Sequence, residues 1–155
     1  MKPMTELIAV DLEMTGLQVK TDRILEIGAV RLYRGEILDT FQTFVNPHRK
    51  IDDRITELTG ITSEMVVDAP EAEEALQKFL EFAGDAPLLG HNVIFDYGFL
   101  KQCAVNHGIP WDQKAIDTLK IARKVLKEPE KKSLEVLCDY FQIHRDHAHR
   151  AVDDA

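Results

Sequence analysis

Acidic side chains and one histidine recur in short segments spread over almost the whole chain, and they constrain the fold more than any other feature. Asp11 and Glu13 lie in LIAVDLEMTGL, Asp96 lies in GHNVIFDYGFL, and His149 and Asp154 lie in HRAVDDA. A site for two divalent metal ions takes carboxylates that converge from elements far apart in sequence. The chain is therefore predicted to fold so that these segments meet.

The first of these segments has the pattern of a buried strand with polar residues at its end. ELIAVDLEM begins with apolar, partly β-branched residues and carries Asp11 and Glu13 near its end. These two residues are two positions apart, so both side chains leave the same face of the sheet. Two such carboxylates repel each other unless a cation lies between them. A strand end that becomes exposed to solvent is an equal alternative for this pair, and Asp96 also suits the first turn of a helix.

The N-terminal part of the chain has the pattern of a three-stranded antiparallel meander. Strand-like segments on either side of Arg34-Gly35 predict a turn at that pair, and Asn46-Pro47 ends the third strand. ITELTGIT predicts a short helix ended by Gly60, with Thr62 as the cap of the next turn. Pro70 opens an amphipathic helix. The apolar stripe of this helix consists of Ala72, Ala75, Leu76, Phe79 and Leu80.

The second part of the chain alternates strands and helices. APLLGHN predicts a strand closed by Gly90, Asn92 is the expected N-cap of the next helix, and KAIDTL predicts a last strand before a helix through Leu126. Ser133 is expected to cap LEVLCDYFQI, and a final helix is expected to begin near His147. The order of elements predicts a single α/β domain, a mixed sheet flanked by helices with crossover connections to the later strands.

Composition and charge narrow the class of protein. The 155 residues hold no apolar run long enough for a membrane span, and Cys103 and Cys138 are expected to be reduced thiols of a cytosolic protein. The formal net charge of −8 argues against a nucleic-acid partner unless divalent cations neutralise part of it. Segment 120–132, KIARKVLKEPEKK, has six basic and two acidic residues. It is a candidate for contact with a phosphate backbone, although a solvated helix face is the commoner explanation.

Three motifs in the order DLEMTG, HNVIFD and HRAVDDA resemble those of the DEDDh branch of 3′→5′ exonucleases, typified by the epsilon proofreading subunit of bacterial DNA polymerase III. The third motif has the family form H-x-A-x-x-D-A. Two further segments agree with the resemblance, ITELTGIT followed by AP and KSLEVLCDYFQI before the third motif. The resemblance covers nearly the whole chain and implies a ribonuclease H-like fold with a five-stranded mixed sheet.

The resemblance also implies roles for the acidic residues. Asp11 would bridge two metal ions roughly 4 Å apart, Glu13 and Asp154 would complete one metal site, and Asp96 would help to hold the other. His149 would take a proton from the attacking water. Hard oxygen ligands favour Mg²⁺ or Mn²⁺ over zinc.

A further set of residues matches positions that line the pocket for the terminal nucleotide in relatives. For the hydrophobic members of this set, packing in the core is an equal alternative. The set consists of Thr15, Leu17, Ile61, His91, Asn92 and Phe95.

The leading functional hypothesis is a metal-dependent exonuclease that releases 5′-mononucleotides from single-stranded or frayed 3′ ends of DNA, with proofreading as its setting. An oligoribonuclease-like enzyme for short RNA is the nearest alternative, because DLEMTGL resembles its first motif as well. A non-catalytic nucleic-acid-binding module is the alternative from another class. So acidic a nuclease is expected to bind its substrate weakly unless a partner tethers it, such as a polymerase subunit or a fused polymerase.

The C-terminal motif departs from simple helical spacing. On a regular helix His149 would share a face with Asp153, whereas the family pattern selects Asp154, which is consistent with a histidine on the loop that enters the helix. The sequence also stops at Ala155, inside a predicted helix. We therefore expect residues 1–155 to be an exonuclease domain truncated at its C-terminal helix, and the end of that helix to fray.

Overall fold

Strand β1 (Leu7–Met14) occupies the centre of a five-stranded sheet in a computed structural model that describes residues 6–141 and Ala151. The strand order is β3-β2-β1-β4-β5. Ile8, Ala9, Val10 and Leu12 of β1 are all buried rather than alternating in exposure. A strand covered on both faces has this near-continuous apolar pattern.

The predicted meander is confirmed. β2 (Ile24–Tyr33) pairs antiparallel with β1, and β3 (Glu36–Phe44) pairs antiparallel with β2. The turn between them has positive φ at both central residues, 52° at Arg34 and 79° at Gly35. This is the conformation that two-residue hairpin loops require, because its twist matches that of the strands.

Three helices connect the meander to the rest of the sheet: α1 (Asp53–Thr59), α2 (Ser63–Val66) and α3 (Ala72–Ala83). Gly60 ends α1 in the left-handed conformation, and the Thr62 hydroxyl accepts the Met65 N–H at the start of α2, both as predicted. The predicted stripe of α3 faces the core. Ala75, Leu76 and Phe79 are buried, and Ala72 and Leu80 are partly buried against the same core. Ala83, which was not part of the predicted stripe, is buried as well.

The remaining elements build the parallel half of the sheet. They are β4 (Leu88–Gly90), α4 (Ile94–Asn106), β5 (Ala115–Asp117), α5 (Thr118–Val125) and α6 (Leu134–Tyr140). β4 pairs parallel with β1 and β5 pairs parallel with β4, so both connections are crossovers. The predicted mixed sheet is confirmed. Of the helix expected from His147 onward, only Ala151 lies within the described residues, where it is helical and fully buried.

The predicted N-cap of α4 is wrong. Asn92 has a φ of 57°, and the cap position is Val93, which makes no side-chain capping bond. The backbone N–H of Asn92 instead donates to the Asp117 carboxylate at the end of β5, at 2.8 Å. Asparagine is favoured both as an N-cap and in the left-handed conformation, so its presence alone does not distinguish the two.

Two apolar clusters hold these elements together. The larger packs the central strands against α3 and α4, and the smaller packs Leu25 of β2 against the segment around α1 and α2, with Ile51, Ile61 and Val66. Cys103 and Cys138 are free thiols, and burial raises the pKa of Cys103 to about 11. No helix within the described part of the chain is both long and apolar enough to cross a membrane.

Candidate active site

The end of β1 extends beyond its neighbour β4. β1 pairs with β4 only through Ile8 and Ala9, whereas it stays paired with β2 through Asp11 and Glu13. Asp11 therefore lies beyond the part of the central strand that pairs with β4. The two acidic residues share one face of the strand, and the Glu13 side chain is only 9% exposed.

Asp96 occupies the place that a longer β4 would fill. The Ile8 N–H donates to the Pro87 carbonyl, so the N–H groups of alternate β1 residues point toward β4. Four residues along β1, beyond the end of β4, the Leu12 N–H donates instead to the Asp96 carboxyl group. Asp96 lies in the first turn of α4 and is 6% exposed. The short β4 and the helix that follows it thus deliver a carboxylate to the open edge of β1.

Asp11 and Asp96 form a hydrogen bond between their carboxyl groups. Such a bond requires one of the two groups to carry a proton. Burial raises the pKa of Asp96 from its ordinary value of 3.8 to about 7, while the hydrogen bonds from Asp11 and from the Leu12 N–H act in the opposite direction. In the absence of a cation, this pair therefore retains a proton at a pH where isolated carboxyl groups have lost theirs.

The donor set fits hard divalent cations such as Mg²⁺ or Mn²⁺, because it consists of carboxylates that are otherwise expensive to bury. A cation would replace the proton that the Asp11–Asp96 pair now needs. Within residues 6–141 and Ala151, no three His, Cys, Asp or Glu side chains are spaced to hold a metal ion together. The two C-terminal members of the predicted set, His149 and Asp154, lie outside the described residues.

The loop after β1 is organised around one carboxylate. Asp22 accepts the Thr15 hydroxyl and the Gln18 N–H, each at 2.9 Å. The Thr15 oxygen in turn accepts the Arg23 N–H at 2.9 Å. These bonds close residues 15–23 into a compact loop. The loop leaves Leu17 69% exposed beside the acidic strand end.

The turn after β4 is tied to the neighbouring strand and helix. The Nε2 atom of His91 donates to the Lys132 carbonyl, and its Nδ1 atom lies 2.9 Å from the Thr118 hydroxyl. The Asp117 oxygen that accepts the Asn92 N–H also accepts the Leu119 N–H, at 2.9 Å, and so caps α5. The predicted pocket residues His91 and Asn92 thus lie beside Asp96 in sequence, with their conformation fixed by contacts to β5, α5 and the segment before α6.

The apolar residues predicted for the nucleotide pocket differ in how much of their side chain is exposed. Phe95 is 42% exposed and directly precedes Asp96 in α4, so it offers an accessible aromatic surface next to the acidic pair, as Leu17 does from the loop. The Ile61 side chain is fully buried in the smaller apolar cluster. Ile61 therefore packs the core in this structure and exposes no side-chain surface to a ligand.

Glu26 is a buried carboxylate that the sequence analysis did not select. It lies directly opposite Glu13 across the β1–β2 pair. One of its oxygens accepts the Gln42 amide at 2.9 Å and the other accepts the Ala151 backbone N–H at 3.0 Å. A glutamate inside the apolar run ILEIGAV was the available signal, since buried charges require partners.

Known proteins resemble this chain over almost its full length. A family model described as an exonuclease, RNase_T, matches residues 8–155. The PolC-type DNA polymerase III of Caldanaerobacter subterraneus subsp. tengcongensis is 45% identical over 150 residues, and that of Clostridium perfringens is 43% identical over 150 residues. Both alignments cover 97% of this chain but only 11% and 10% of those proteins. The chain therefore spans about a tenth of the length of these curated relatives.

Solved structures show the same fold. Exonuclease X in complex with 5′ overhanging duplex DNA superposes with a TM-score of 0.76 at 28% identity, over 96% of this chain and 83% of its own. Exonuclease I superposes with a TM-score of 0.86 at 19% identity, over 97% of this chain and 38% of its own. The predicted ribonuclease H-like architecture agrees with both structures.

Proposed function

Because this chain belongs to the RNase_T exonuclease family, we propose that it is a metal-dependent 3′→5′ exonuclease acting on DNA 3′ ends and releasing 5′-mononucleotides. The observation that carries the proposal is the contact between Asp11 and Asp96 at the open edge of β1. The buried carboxyl group of Asp96 and the partly buried one of Asp11 are held together there from two different elements, and burial raises the pKa of Asp96. Catalytic sites commonly contain groups perturbed in this way.

In this proposal the acidic residues Asp11, Glu13, Asp96 and Asp154 hold two divalent cations, Mg²⁺ or Mn²⁺. When bound, such ions acidify water and stabilise the charge that develops on the phosphate. His149 would accept a proton from the water whose oxygen attacks phosphorus. The bond between phosphorus and the 3′ oxygen breaks with its electron pair on that oxygen, which takes a proton from solvent to become the new 3′ hydroxyl. The products are a 5′-mononucleotide and a strand shortened by one nucleotide.

Leu17 and Phe95 supply the apolar surface for the terminal nucleotide. Both side chains are exposed on segments that adjoin the acidic residues, and aromatic faces stack on bases of any sequence. Thr15, His91 and Asn92 shape the two loops that frame this surface through the hydrogen bonds described above. Ile61 is not part of this surface, because its side chain is fully buried in the smaller apolar cluster.

A polymerase is the partner that this proposal favours. The curated relatives are PolC-type DNA polymerases III, of which the matching region is a small part. Attachment to a polymerase would supply the substrate affinity that a chain of net charge −8 lacks. Proofreading is the function that follows, because a polymerase delivers the 3′ end of newly made DNA.

An assay with labelled 3′ ends tests the proposed reaction. DNA, RNA and dinucleotides are compared in Mn²⁺ and in EDTA, with the released products identified by size. We expect mononucleotides from DNA 3′ ends in Mn²⁺ only. Preference for RNA or dinucleotides would support an oligoribonuclease-like enzyme instead, and Mn²⁺ binding without cleavage would support a binding module.

Two variants separate metal binding from proton transfer. Asp11→Asn is expected to weaken Mn²⁺ binding in calorimetric titrations and to abolish cleavage, because it removes a charge shared by both ions. His149→Ala is expected to leave Mn²⁺ affinity nearly unchanged and to lower turnover roughly 10²- to 10⁴-fold. Asp85→Asn, an exposed residue before the opposite end of β4, is the control and should behave as the unaltered protein. Equal loss of metal affinity in the first two variants would contradict these roles.

A further inference from the structure

Glu26 is one of the most completely buried charged side chains among the residues described, with 1% of its surface exposed. It lies within the apolar strand β2, where a carboxylate is costly unless hydrogen bonds compensate for the loss of water. Its two oxygens receive donors from two different parts of the chain, the Gln42 amide on β3 and the Ala151 backbone N–H. The carboxylate therefore joins the edge of the sheet to the C-terminal motif.

The contact with Ala151 is a backbone contact, so it does not depend on which side chain residue 151 carries. Ala151 is fully buried, and its N–H lies 3.0 Å from the Glu26 oxygen. Hydrogen bonds between a neutral N–H and a charged acceptor are about twice as strong as neutral ones. The bond fixes the main chain in the middle of HRAVDDA to β2.

This anchor lies next to the acidic residues of β1. Glu26 is opposite Glu13 in the β1–β2 register, and Asp11 is opposite Gly28, one step further along the same face. The Ala151 main chain is therefore bonded to the residue of β2 that lies directly across from Glu13.

We infer that Glu26 is a positioning residue: its carboxylate holds the main chain at Ala151, within the HRAVDDA motif, against β2 beside the acidic end of β1. The catalytic consequence rests on the function proposed above. An amide N–H group and a peptide N–H group engage the two oxygens of Glu26. Its carboxylate orients the main chain and leaves the metal ions to the other acidic residues.

The test compares two substitutions of similar size. Glu26→Met removes the acceptor and fills the space, whereas Glu26→Gln keeps one carbonyl oxygen for the Ala151 N–H while the Gln42 amide rotates to accept from the new NH₂ group. Phe79→Leu, which trims a core residue of α3, serves as a control for general destabilisation. If Glu26→Met fails to fold, Glu26→Asp is used in its place, because it keeps the carboxylate but shortens the side chain by one methylene.

Turnover and backbone protection are measured on the same samples. With 3′-labelled DNA in Mn²⁺, Glu26→Met should lower kcat about 10- to 100-fold with little change in KM, because a displacement near 1 Å has effects of this size. Glu26→Gln should recover kcat to within about threefold, and Phe79→Leu should keep kcat at a comparable loss of thermal stability. Amide hydrogen exchange at Ala151 should accelerate in Glu26→Met alone.

Each result decides the inference. Unchanged kcat in Glu26→Met, an equal loss of kcat in Phe79→Leu, or unchanged protection of the Ala151 amide would overturn it. If the unaltered protein releases no nucleotides in Mn²⁺, the proposed function fails instead. The exchange measurement at Ala151 still decides whether Glu26 anchors that segment.

Discussion

At the scale of single residues, the central feature is a carboxyl group kept in a place where its charge is unfavourable. Asp96 could occupy the first turn of an exposed helix at no cost. It is instead buried against the unpaired edge of β1, where it bonds to Asp11 and to the Leu12 N–H. The buried carboxyl group of Asp96 therefore lowers the stability of the metal-free protein, and a bound cation would restore that stability.

The raised pKa of Asp96 predicts how the metal-free protein responds to pH. The folded state holds a proton on this group up to about pH 7, whereas the unfolded state loses it near 3.8. The contribution of Asp96 to stability is therefore complete below the lower value and is lost as pH rises through the higher one. At about 1.4 kcal/mol per pKa unit, the loss is on the order of a few kcal/mol.

Urea unfolding in EDTA across this pH range measures the effect. The free energy of unfolding of the unaltered protein should fall relative to Asp96→Asn, whose side chain does not ionise. Added Mn²⁺ should restore more stability at pH 8 than at pH 5, with release of protons on binding. A constant difference between the two proteins across the range would contradict the assigned pKa.

At the scale of elements, carboxylate groups close the two loops that flank the acidic residues, in addition to the apolar packing of Val19 and Val93. Asp22 closes the loop between β1 and β2, and Asp117 holds the turn between β4 and α4. Each carboxylate accepts backbone N–H groups that a loop otherwise leaves unpaired. The exposed Leu17 and Phe95 are thereby presented from rigid segments.

Gly16→Ala is predicted to disrupt the first of these loops. A Cβ atom at Gly16 would lie 2.4 Å from an Asp22 oxygen, so Asp22 must move and lose the Thr15 or Gln18 bond. Loss of one or two such bonds costs about 1–2 kcal/mol. We expect KM for single-stranded DNA to rise about 5- to 30-fold, with a smaller change in kcat.

Gly98→Ala is the matched control for that variant. Its Cβ would meet only Val19, at an ordinary 3.6 Å, and Gly98 lies inside α4. Alanine in a helix should leave stability unchanged or raise it by up to about 1 kcal/mol. Kinetic constants measured on both variants check the prediction, and an unaltered KM in Gly16→Ala would show that the loop does not shape the substrate site.

Features that neighbouring residues decide could be predicted from the sequence, whereas features that contacts between distant residues decide could not. The turn at Arg34-Gly35 and the caps at Gly60 and Thr62 were predictable, because a few neighbouring residues decide them. Asn92 was misassigned, since its conformation is decided by Asp117 on another strand.

The same distinction holds for the candidate site. The contact of Asp11 with Asp96 was expected only through family resemblance, because spacing along the chain cannot show which strand stops short. The bond from Glu26 to Ala151 gave no sequence signal beyond a charge in an apolar run, since its donor is a backbone N–H.

At the scale of the whole molecule, the excess of acidic residues suits metal binding at the site but weakens the binding of a nucleic-acid strand. The chain carries 27 acidic and 19 basic residues, and the acidic ones include the carboxylates proposed to form the active site. Cations bound at the site would offset part of this charge, but the chain has eight more acidic than basic residues, and this excess repels the rest of a strand. Binding should consequently involve few phosphate contacts.

The salt dependence of KM measures how many phosphate contacts form. With one or two contacts to a single strand, KM for an oligonucleotide should rise less than about tenfold between roughly 50 and 200 mM salt at fixed Mn²⁺. Fusion to, or saturation with, a polymerase partner should lower KM without altering kcat. A rise of about 10³-fold would instead point to an extended basic surface, for which segment 120–132 is the candidate.

The bond between Glu26 and Ala151 also bears on the order in which the molecule assembles. The meander from β1 to β3 joins near neighbours in sequence, whereas this bond spans 125 residues. Forming a long-range contact costs loop-closure entropy before the contact stabilises the fold. The N-terminal parts of a chain also fold first during synthesis. A nascent chain can therefore complete its meander on the ribosome while the HRAVDDA segment is still unmade. Under the proposed function, hydrolysis would begin only after residue 151 has emerged, and unfinished chains would leave nucleic acids intact.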